Sequence, residues 1–184
     1  MSAETPLTAA EQEDLQALAG YMRGHGLLLA TAESCTAGMI ASFLADIPGA
    51  GELLDCAFAT YSVQAKQRCL GVDPELLRRH NLTSEPVARA MAEGAARLTP
   101  ANVIVANTGV ADGGGAGVPA GTQCYAWLYK RDGAPPAIYT ETRRFPGDRS
   151  AVRRASALYA LSRVAHYHAA PAGGPQGSLP PTLE

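Results

Sequence analysis

Three short segments of this 184-residue chain carry side chains that could do chemistry, and the first of them is AESCTAG at 32–38. It lies between an apolar run and the start of a helical pattern. A serine at a helix N-terminus would lie near unpaired N–H groups and the positive end of the helix dipole, which stabilise an oxyanion. Ser34 is therefore a candidate nucleophile, although Ser34 or Thr36 could instead be an ordinary helix N-cap. Cys35 is a rival nucleophile, but no histidine adjoins it to generate a thiolate.

The second segment runs from Tyr61 to Lys66. On one continuous helix these two side chains would point about 140° apart. They face a common site only if a strand ends at Tyr61 and a helix begins after it in the sequence, with Ser62 as the N-cap. Lys66 would then lie in the first helical turn, where the dipole and burial both lower the pKa of its amine. A neutral lysine can act as general base for a serine; without this context, Lys66 is a surface lysine.

The third segment is the glycine-rich stretch 108–121, which follows the strongest strand pattern in the chain. Glycines behind a strand let backbone N–H groups approach a phosphate closely. The segment is not a P-loop, because no Gly-Lys-Ser/Thr follows it. A mobile surface loop is the alternative interpretation.

Composition excludes several classes of protein. A net charge of −2 gives no electrostatic footprint for nucleic acid. No apolar run approaches the roughly 20 residues that cross a bilayer, and the polar N-terminus is not a signal peptide. Four cysteines without paired spacing indicate free thiols in a reducing cytoplasm. The four histidines lie apart from the three segments and show no metal-binding spacing, so metal catalysis is not expected.

Five arginines gather near the C-terminal end of the chain. They could bind a small anion, but a solvated helix face is the simpler interpretation for most of them. These residues are Arg143, Arg144, Arg149, Arg153 and Arg154.

The elements that must position these residues alternate along the chain. Helical patterns cover 8–24, 38–45, 63–70, 74–80, 84–98 and 150–168, and strand patterns cover 27–31, 56–61, 102–107, 122–130 and 137–145. This order predicts an α/β fold with helices on both faces of a mixed, mostly parallel sheet. We expect one domain over 1–168 and a disordered Pro/Gly-rich tail over 169–184.

The wording of the motifs resembles that of a known family. Segment 32–38 is similar to the AESCTGG signature of the CinA C-terminal family of nicotinamide mononucleotide deamidases, also known as competence/damage-inducible proteins. Further similar segments follow in the same order, from about residue 15 to about residue 168: Tyr61-Ser62 with Lys66, SEPVARAMAEG at 84–94, Thr108-Gly109, and FPGDR at 145–149.

This resemblance implies a three-layer α/β/α sandwich and a cytoplasmic amidohydrolase of pyridine nucleotide salvage. Its substrate would be a small nucleotide, nicotinamide mononucleotide, which water converts to nicotinate mononucleotide and ammonia without a metal or redox cofactor. It also implies a homo-oligomer that binds neither nucleic acid nor membrane. Carried over by position, the catalytic residues are Ser34, Tyr61 and Lys66, with Tyr61 relaying or orienting the proton. The substrate-binding residues are Glu33, Cys35, Thr36, Thr108, Gly109 and Arg149, with Arg149 on the phosphate.

Two positions depart from the family pattern. Gly51 stands where the family has a serine, so a hydroxyl expected near the site is missing. Asp112 places a carboxylate in a loop expected to face an anionic ligand. Two alternatives therefore stay open. One is a catalytically silent paralogue that binds a nucleotide or a protein partner, and the other is a Ser/Lys hydrolase for a different, less anionic amide.

Overall fold

The computed structural model describes residues 6–113 and 117–170. Within them the helices are α1 (Ala9–Gly24), α2 (Met39–Ala45), α3 (Val63–Leu70), α4 (Pro74–Arg79), α5 (Glu85–Ala96) and α6 (Arg149–His168), with a short 3-10 helix at Ala50–Glu52. The strands are β1 (Leu29–Glu33), β2 (Leu54–Ala59), β3 (Val103–Gly109), β4 (Thr122–Arg131) and β5 (Ala134–Arg144). The expected disordered tail lies, from residue 171 onward, outside the described residues.

The strands form one open sheet in the order β2-β1-β3-β4-β5. The β1 strand pairs in parallel with both β2 and β3, whereas β4 is antiparallel to β3 and to β5. Four of the five described strands therefore run in one direction and β4 runs against them. This confirms the predicted mixed, mostly parallel sheet.

Two apolar cores make the molecule a three-layer sandwich. On one face α1, α2 and α6 cover the sheet, with Trp127 and Tyr125 of β4 fully buried beneath α6. On the other face α5 packs centrally, with Val87 and Met91 buried against Ile104 of β3. The sheet is apolar on both faces because helices exclude water from each, as the continuous apolar runs in the sequence predict.

The boundaries of β2 differ from those that the sequence pattern predicts, and they fix the position of Gly51. The β2 strand ends at Ala59, two residues earlier than expected, so Thr60 and Tyr61 form a link to α3. Gly51 lies in the exposed 3-10 helix before β2, at the amino end of that strand. Position 51 is thus a full strand length from the carboxyl ends of β1 and β2. The expectation of a hydroxyl beside the site at this position is wrong for a single copy of the chain.

No helix among the described residues is both long and apolar enough to traverse a bilayer.

Candidate active site

The candidate site lies at the carboxyl ends of the three neighbouring parallel strands. Ser34 directly follows β1, Thr60 and Tyr61 follow β2, and Thr108 and Gly109 end β3. In open α/β sheets, ligands bind in the crevice beyond these strand ends. A pocket of about 430 Å³ opens there. Its walls are Ser34, Cys35, Tyr61, Lys66, Thr108, Gly109 and Val110, together with 80–83 between α4 and α5.

A buried lysine and a buried serine meet in this pocket. The Lys66 Nζ lies 2.8 Å from the Ser34 Oγ, and the two residues are only 2% and 7% exposed. Burial lowers the pKa of Lys66 from its ordinary value to about 8, because the charged amine loses its hydration. A substantial fraction of this lysine is therefore neutral near pH 8 and able to accept a proton.

Two backbone carbonyls orient the lysine amine. The Nζ donates to the Thr60 oxygen at 2.8 Å and to the Tyr61 oxygen at 3.2 Å. A neutral amine has two N–H donors and one lone pair. The Nζ also donates to the Ser34 Oγ at 2.8 Å. When the amine is neutral and both of its N–H bonds point at the carbonyls, its lone pair is left to accept the Ser34 proton. The geometry suits general-base activation of Ser34.

Local chain structure explains why the two side chains meet. The Thr60 N–H donates to the Glu33 carbonyl at 2.8 Å, which holds the ends of β1 and β2 together. The Ser62 hydroxyl caps α3 by accepting from the Ala65 N–H at 3.0 Å. Lys66 consequently lies in the first turn of α3 and reaches back over the strand end. This arrangement confirms the predicted break between strand and helix.

The turn that carries Ser34 is fixed from beneath by Asn107, a fully buried residue of β3. Its carbonyl accepts from the Ser34 N–H at 3.0 Å, and its Oδ1 accepts from the Thr36 N–H and hydroxyl, both at 3.3 Å. Arg153 of α6 donates to the Cys35 and Thr36 carbonyls, each at 3.0 Å. Asn107 was not a predicted site residue, and Arg153 was considered only as a member of the arginine cluster. A polar side chain at the end of an otherwise apolar strand was the only sequence signal for Asn107.

The other arginines of the cluster are also engaged. Arg143 donates to Glu141 and Tyr159, Arg144 to the Ala120 carbonyl, and Arg154 to Glu11. Arg143 and Arg144 lie on β5, and Arg153 and Arg154 of α6 are half-buried, so the interpretation of this cluster as a solvated helix face holds only for the exposed Arg149.

Glu33 and Thr36 serve the turn itself rather than the pocket. The Glu33 carboxylate is fully buried and accepts from the N–H groups of Gly38, Ile40 and Ala41 at 2.8 to 3.1 Å. The structure thus places this predicted substrate ligand at the beginning of α2, where it compensates unpaired backbone donors. Thr36 is fully buried against Asn107 and is absent from the pocket wall.

The helix after this turn begins where the pattern 38–45 predicts, four residues beyond Ser34. The N-cap of α2 is Gly38, so neither Ser34 nor Thr36 caps it and Ser34 does not lie in its first turn. Ala37 just before it adopts a left-handed φ of 52°, the one positive value among the described non-glycine residues. A strained turn, rather than a helix terminus, presents Ser34.

Some of the backbone N–H groups near Ser34 already donate hydrogen bonds within the protein. The Ser34 and Thr36 N–H groups are bonded to Asn107 as described, and the Gly38 N–H to Glu33. Of the turn's amides, those of Cys35 and Ala37 have no acceptor within the described residues. They are the candidates for stabilising an oxyanion at Ser34.

Cys35 is not equipped as a rival nucleophile. Its sulfur is buried and accepts a hydrogen bond from the Gln123 amide at 3.4 Å. Burial raises the pKa of this thiol, and Lys66 contacts the serine instead. Cys35 therefore contributes an uncharged part of the pocket wall.

Arg149 hydrogen-bonds to Tyr61, a residue of the pocket wall. The Arg149 Nη2 donates to the Tyr61 hydroxyl at 2.5 Å, and its Nη1 donates to Asp112 Oδ1 at 2.9 Å. The Tyr61 side chain is 59% exposed, so its hydroxyl faces Arg149 rather than the buried pair. Only the Tyr61 backbone carbonyl touches Lys66. The geometry gives no direct support to the prediction that its phenol relays a proton.

The remaining walls come from β3 and from the loop after α4. The Thr108 hydroxyl donates to the Leu82 carbonyl at 2.8 Å, which ties the loop to the strand. A Cβ at Gly109 would lie 2.3 Å from the fully buried Gln123 side chain, so a larger residue there would displace the hydrogen bond between Gln123 and Asn107. His80 also lies in the pocket wall, although it is separate in sequence from the three segments. No group of three potential metal ligands occurs among residues 6–113 and 117–170.

Comparison with known proteins gives a consistent family. The model of the CinA C-terminal domain matches residues 12–168. A CinA-like protein of Mycolicibacterium paratuberculosis is 44% identical over 138 residues, which cover 74% of this chain and 32% of that protein. One from Syntrophobacter fumaroxidans is 42% identical over 161 residues, covering 86% and 37%. The chain thus spans about a third of the length of these relatives.

Solved structures resemble the chain over nearly their whole length. A competence damage-inducible protein A from Klebsiella pneumoniae has a TM-score of 0.80 at 31% identity, covering 86% of this chain and 97% of that one. A CinA superfamily protein from Escherichia coli has a TM-score of 0.77 at 33% identity, covering 88% and 93%. With sequence motifs, fold and pocket in agreement, the chain belongs to the CinA C-terminal domain family.

Proposed function

We propose that this chain is an amidohydrolase that converts nicotinamide mononucleotide and water to nicotinate mononucleotide and ammonia, with Ser34 as nucleophile and Lys66 as general base. One observation carries the proposal: Lys66 Nζ lies 2.8 Å from Ser34 Oγ, at a site where burial lowers the pKa of the amine to about 8. The bond broken is the carboxamide C–N bond.

The reaction has two steps, acylation of Ser34 and hydrolysis of the resulting ester, and Lys66 transfers a proton in each. Ser34 Oγ attacks the carboxamide carbon as its proton moves to Lys66, and the protonated lysine then gives that proton to the departing ammonia. Water attacks the resulting ester, again losing a proton to Lys66, and Ser34 is released with the carboxylate product. In each step Lys66 first accepts a proton and then donates it. The proton goes to the departing ammonia in the first step and to the departing Ser34 oxygen in the second.

The pocket wall supports a substrate with a planar ring and an anionic end. The Tyr61 ring and the Leu82 side chain, 59% and 40% exposed, are two of the large apolar side chains left open to solvent, and both line the pocket. Arg149, bonded to the Tyr61 hydroxyl, presents a guanidinium beside the pocket wall, and a guanidinium pairs well with phosphate oxygens.

The test is ammonia release from nicotinamide mononucleotide by the purified chain, with product identified as the carboxylate. We expect turnover by the parent, none above background by Ser34→Ala, and parental turnover by Ser42→Ala, which changes an exposed serine of α2. Absence of turnover by the parent, or equal rates in Ser34→Ala, would refute the proposal.

A second candidate is hydrolysis of an amide that lacks a phosphate. Asp112 favours it, because its carboxylate already occupies one end of the Arg149 guanidinium. Nicotinamide riboside assayed beside the mononucleotide separates the two candidates. Faster turnover of the riboside in the parent would favour the second.

A further inference from the structure

We propose that Asp112 competes internally with anionic ligands for Arg149 and so determines how strongly the pocket favours phosphate-bearing over phosphate-free amides. The inference rests on the pocket of the proposed function but does not require turnover. It assigns a specificity-determining role to a residue that departs from the family pattern.

Both ends of the Arg149 guanidinium are occupied. Nη1 donates to Asp112 Oδ1 at 2.9 Å, and Nη2 donates to the Tyr61 hydroxyl at 2.5 Å. Each of these nitrogens keeps a second N–H, so a phosphate can still reach the guanidinium; at the Nη1 end it meets the Asp112 carboxylate, whereas the neutral Tyr61 hydroxyl orients the guanidinium without repelling an anion. A phosphate bound at this position therefore competes with the Asp112 carboxylate for the charge of Arg149.

The ion pair borders the pocket rather than a remote surface. Tyr61 is a wall residue, and Ala111 next to Asp112 is buried against Cys35 and Val152. Burial is the main cause of the raised pKa of the Cys35 thiol, and among the smaller effects Arg149 lowers it while Asp112 raises it. Both charges therefore act on an atom of the pocket wall from nearby.

The Arg149–Asp112 ion pair has a small interaction energy, so an anionic ligand can displace it, yet the pair still lowers the affinity for that ligand. The Arg149 and Asp112 side chains are 48% and 66% exposed, and exposed ion pairs contribute little because water and salt screen them. A dianionic phosphate can replace one carboxylate, but the displaced Asp112 remains nearby and repels it. Removing the carboxylate should tighten phosphate binding by about two- to fivefold.

A phosphate-free amide has no such competition. Its carboxamide is directed to Ser34 and Lys66, which lie in the buried part of the pocket, and it needs nothing from Arg149. The Asp112 charge should therefore leave its affinity unchanged. The ratio of the two affinities, rather than either one alone, reports the role of Asp112.

The experiment measures ligand affinity by calorimetry in the full chain carrying Ser34→Ala, so that no ligand is consumed. The ligands are nicotinamide mononucleotide, nicotinamide riboside and inorganic phosphate. They are compared with and without Asp112→Asn, and again with Arg149→Met added. Glu52→Gln is the matched control, since it neutralises an exposed carboxylate in an arginine pair away from the pocket.

We expect Asp112→Asn to lower the Kd of the mononucleotide and of phosphate by about two- to fivefold and to leave the Kd of the riboside unchanged. When Arg149 is also replaced, Asp112→Asn should have no effect on any of these Kd values. Glu52→Gln should change nothing. Equal affinities with and without Asp112, an equal gain for the riboside, or no phosphate binding by any variant would overturn the inference. Ammonia release by the parent tests the proposed function separately, so either idea can fail while the other stands.

Discussion

At the scale of single residues, the site depends on keeping one lysine uncharged. Lys66 has no acidic partner among the contacts the structure describes; its acceptors are two backbone carbonyls and the Ser34 hydroxyl. A carboxylate in contact would hold the proton on the amine and raise its pKa. Burial among neutral groups instead lowers the pKa of Lys66 to about 8.

The substitution Tyr61→Phe distinguishes a tyrosine that positions Arg149 from a tyrosine that relays a proton to or from the Ser34–Lys66 pair. Because the phenol contacts Arg149 and not the Ser34–Lys66 pair, we expect kcat to stay within about twofold and KM to rise a few-fold. Steady-state kinetics on the mononucleotide check this. A proton relay through the phenol predicts the opposite, a fall in kcat of roughly a hundredfold or more with KM little changed.

The sequence predicted some site residues and not others for a physical reason. Ser34 and Lys66 each follow a strand, and neighbouring parallel strands bring such residues together. Arg153 reaches the Cys35 carbonyl across 118 residues of sequence, through the packing of α6, and no local pattern encodes that contact. The sequence could not show that the Glu33 carboxylate accepts from N–H groups at the start of α2, because a strand-end position does not reveal whether its side chain faces the pocket or the next helix.

At the scale of elements, the strained turn before α2 is open to test. Ala37 has a φ of 52°, a region that costs an L-residue roughly 1 to 2 kcal/mol and costs glycine almost nothing. Allowing for the greater freedom of glycine in the unfolded chain, Ala37→Gly should raise the free energy of unfolding by about 0.5 to 1 kcal/mol.

Urea denaturation measures the Ala37→Gly effect. The matched control is Ala17→Gly, an exposed alanine inside α1, which should lower stability by up to about 1 kcal/mol. Loss of stability in both variants would show that the turn is not strained.

The contact between α3 and α5 determines where Lys66 lies. Gly94 of α5 packs against the end of α3 so closely that a Cβ would lie 2.2 Å from the Leu70 carbonyl oxygen. Gly94→Ala should therefore lower the free energy of unfolding by about 1 to 3 kcal/mol, although alanine is the better helix former. Displacement of α3 should also reduce kcat, because Lys66 moves with it.

Gly20→Ala is the control for this close approach. Gly20 lies on the exposed side of α1 with nothing within 4 Å of a Cβ, so alanine there should add up to about 1 kcal/mol. Chemical denaturation gives the free energy of unfolding of Gly94→Ala and Gly20→Ala, and steady-state kinetics give the kcat of each. Equal stabilisation at the two positions would contradict the packing described.

At the scale of the whole molecule, the layered fold was predictable because its signals are local. Continuous apolar runs bounded by glycine and proline marked the strands, and the Thr8–Glu11 capping box marked α1 as found. The order of strands and the position of residue 51 at the amino end of β2 depend on long-range pairing. Motif resemblance therefore suggested a missing hydroxyl at a position that the fold holds far from Ser34.

The buried lysine also affects the stability of the whole chain. Its pKa is about 8 when folded and near 10.4 when unfolded, so between these values the unfolded chain binds more protons. This residue therefore makes stability rise with pH across that window, and below pH 8 the folded state carries the full cost of the buried charge.

Lys66→Met removes that titration. The free energy of unfolding of Lys66→Met minus that of the parent should be larger at pH 7 than at pH 10, by on the order of 2 kcal/mol. Urea titrations of both proteins at the two pH values supply the comparison. A difference that stays constant with pH would mean that Lys66 keeps an ordinary pKa when folded.

The most direct test of the central claim is acylation of Ser34 by a neutral activated ester, followed by mass spectrometry of the labelled peptide. It needs no knowledge of the natural substrate. The account predicts that the labelling rate, corrected with Ser34→Ala, rises with pH and levels off above about 8. It also predicts a fall of at least a hundredfold in Lys66→Met. Labelling of Ser34 that is as fast in Lys66→Met, or that does not change between pH 6 and 9, would contradict it.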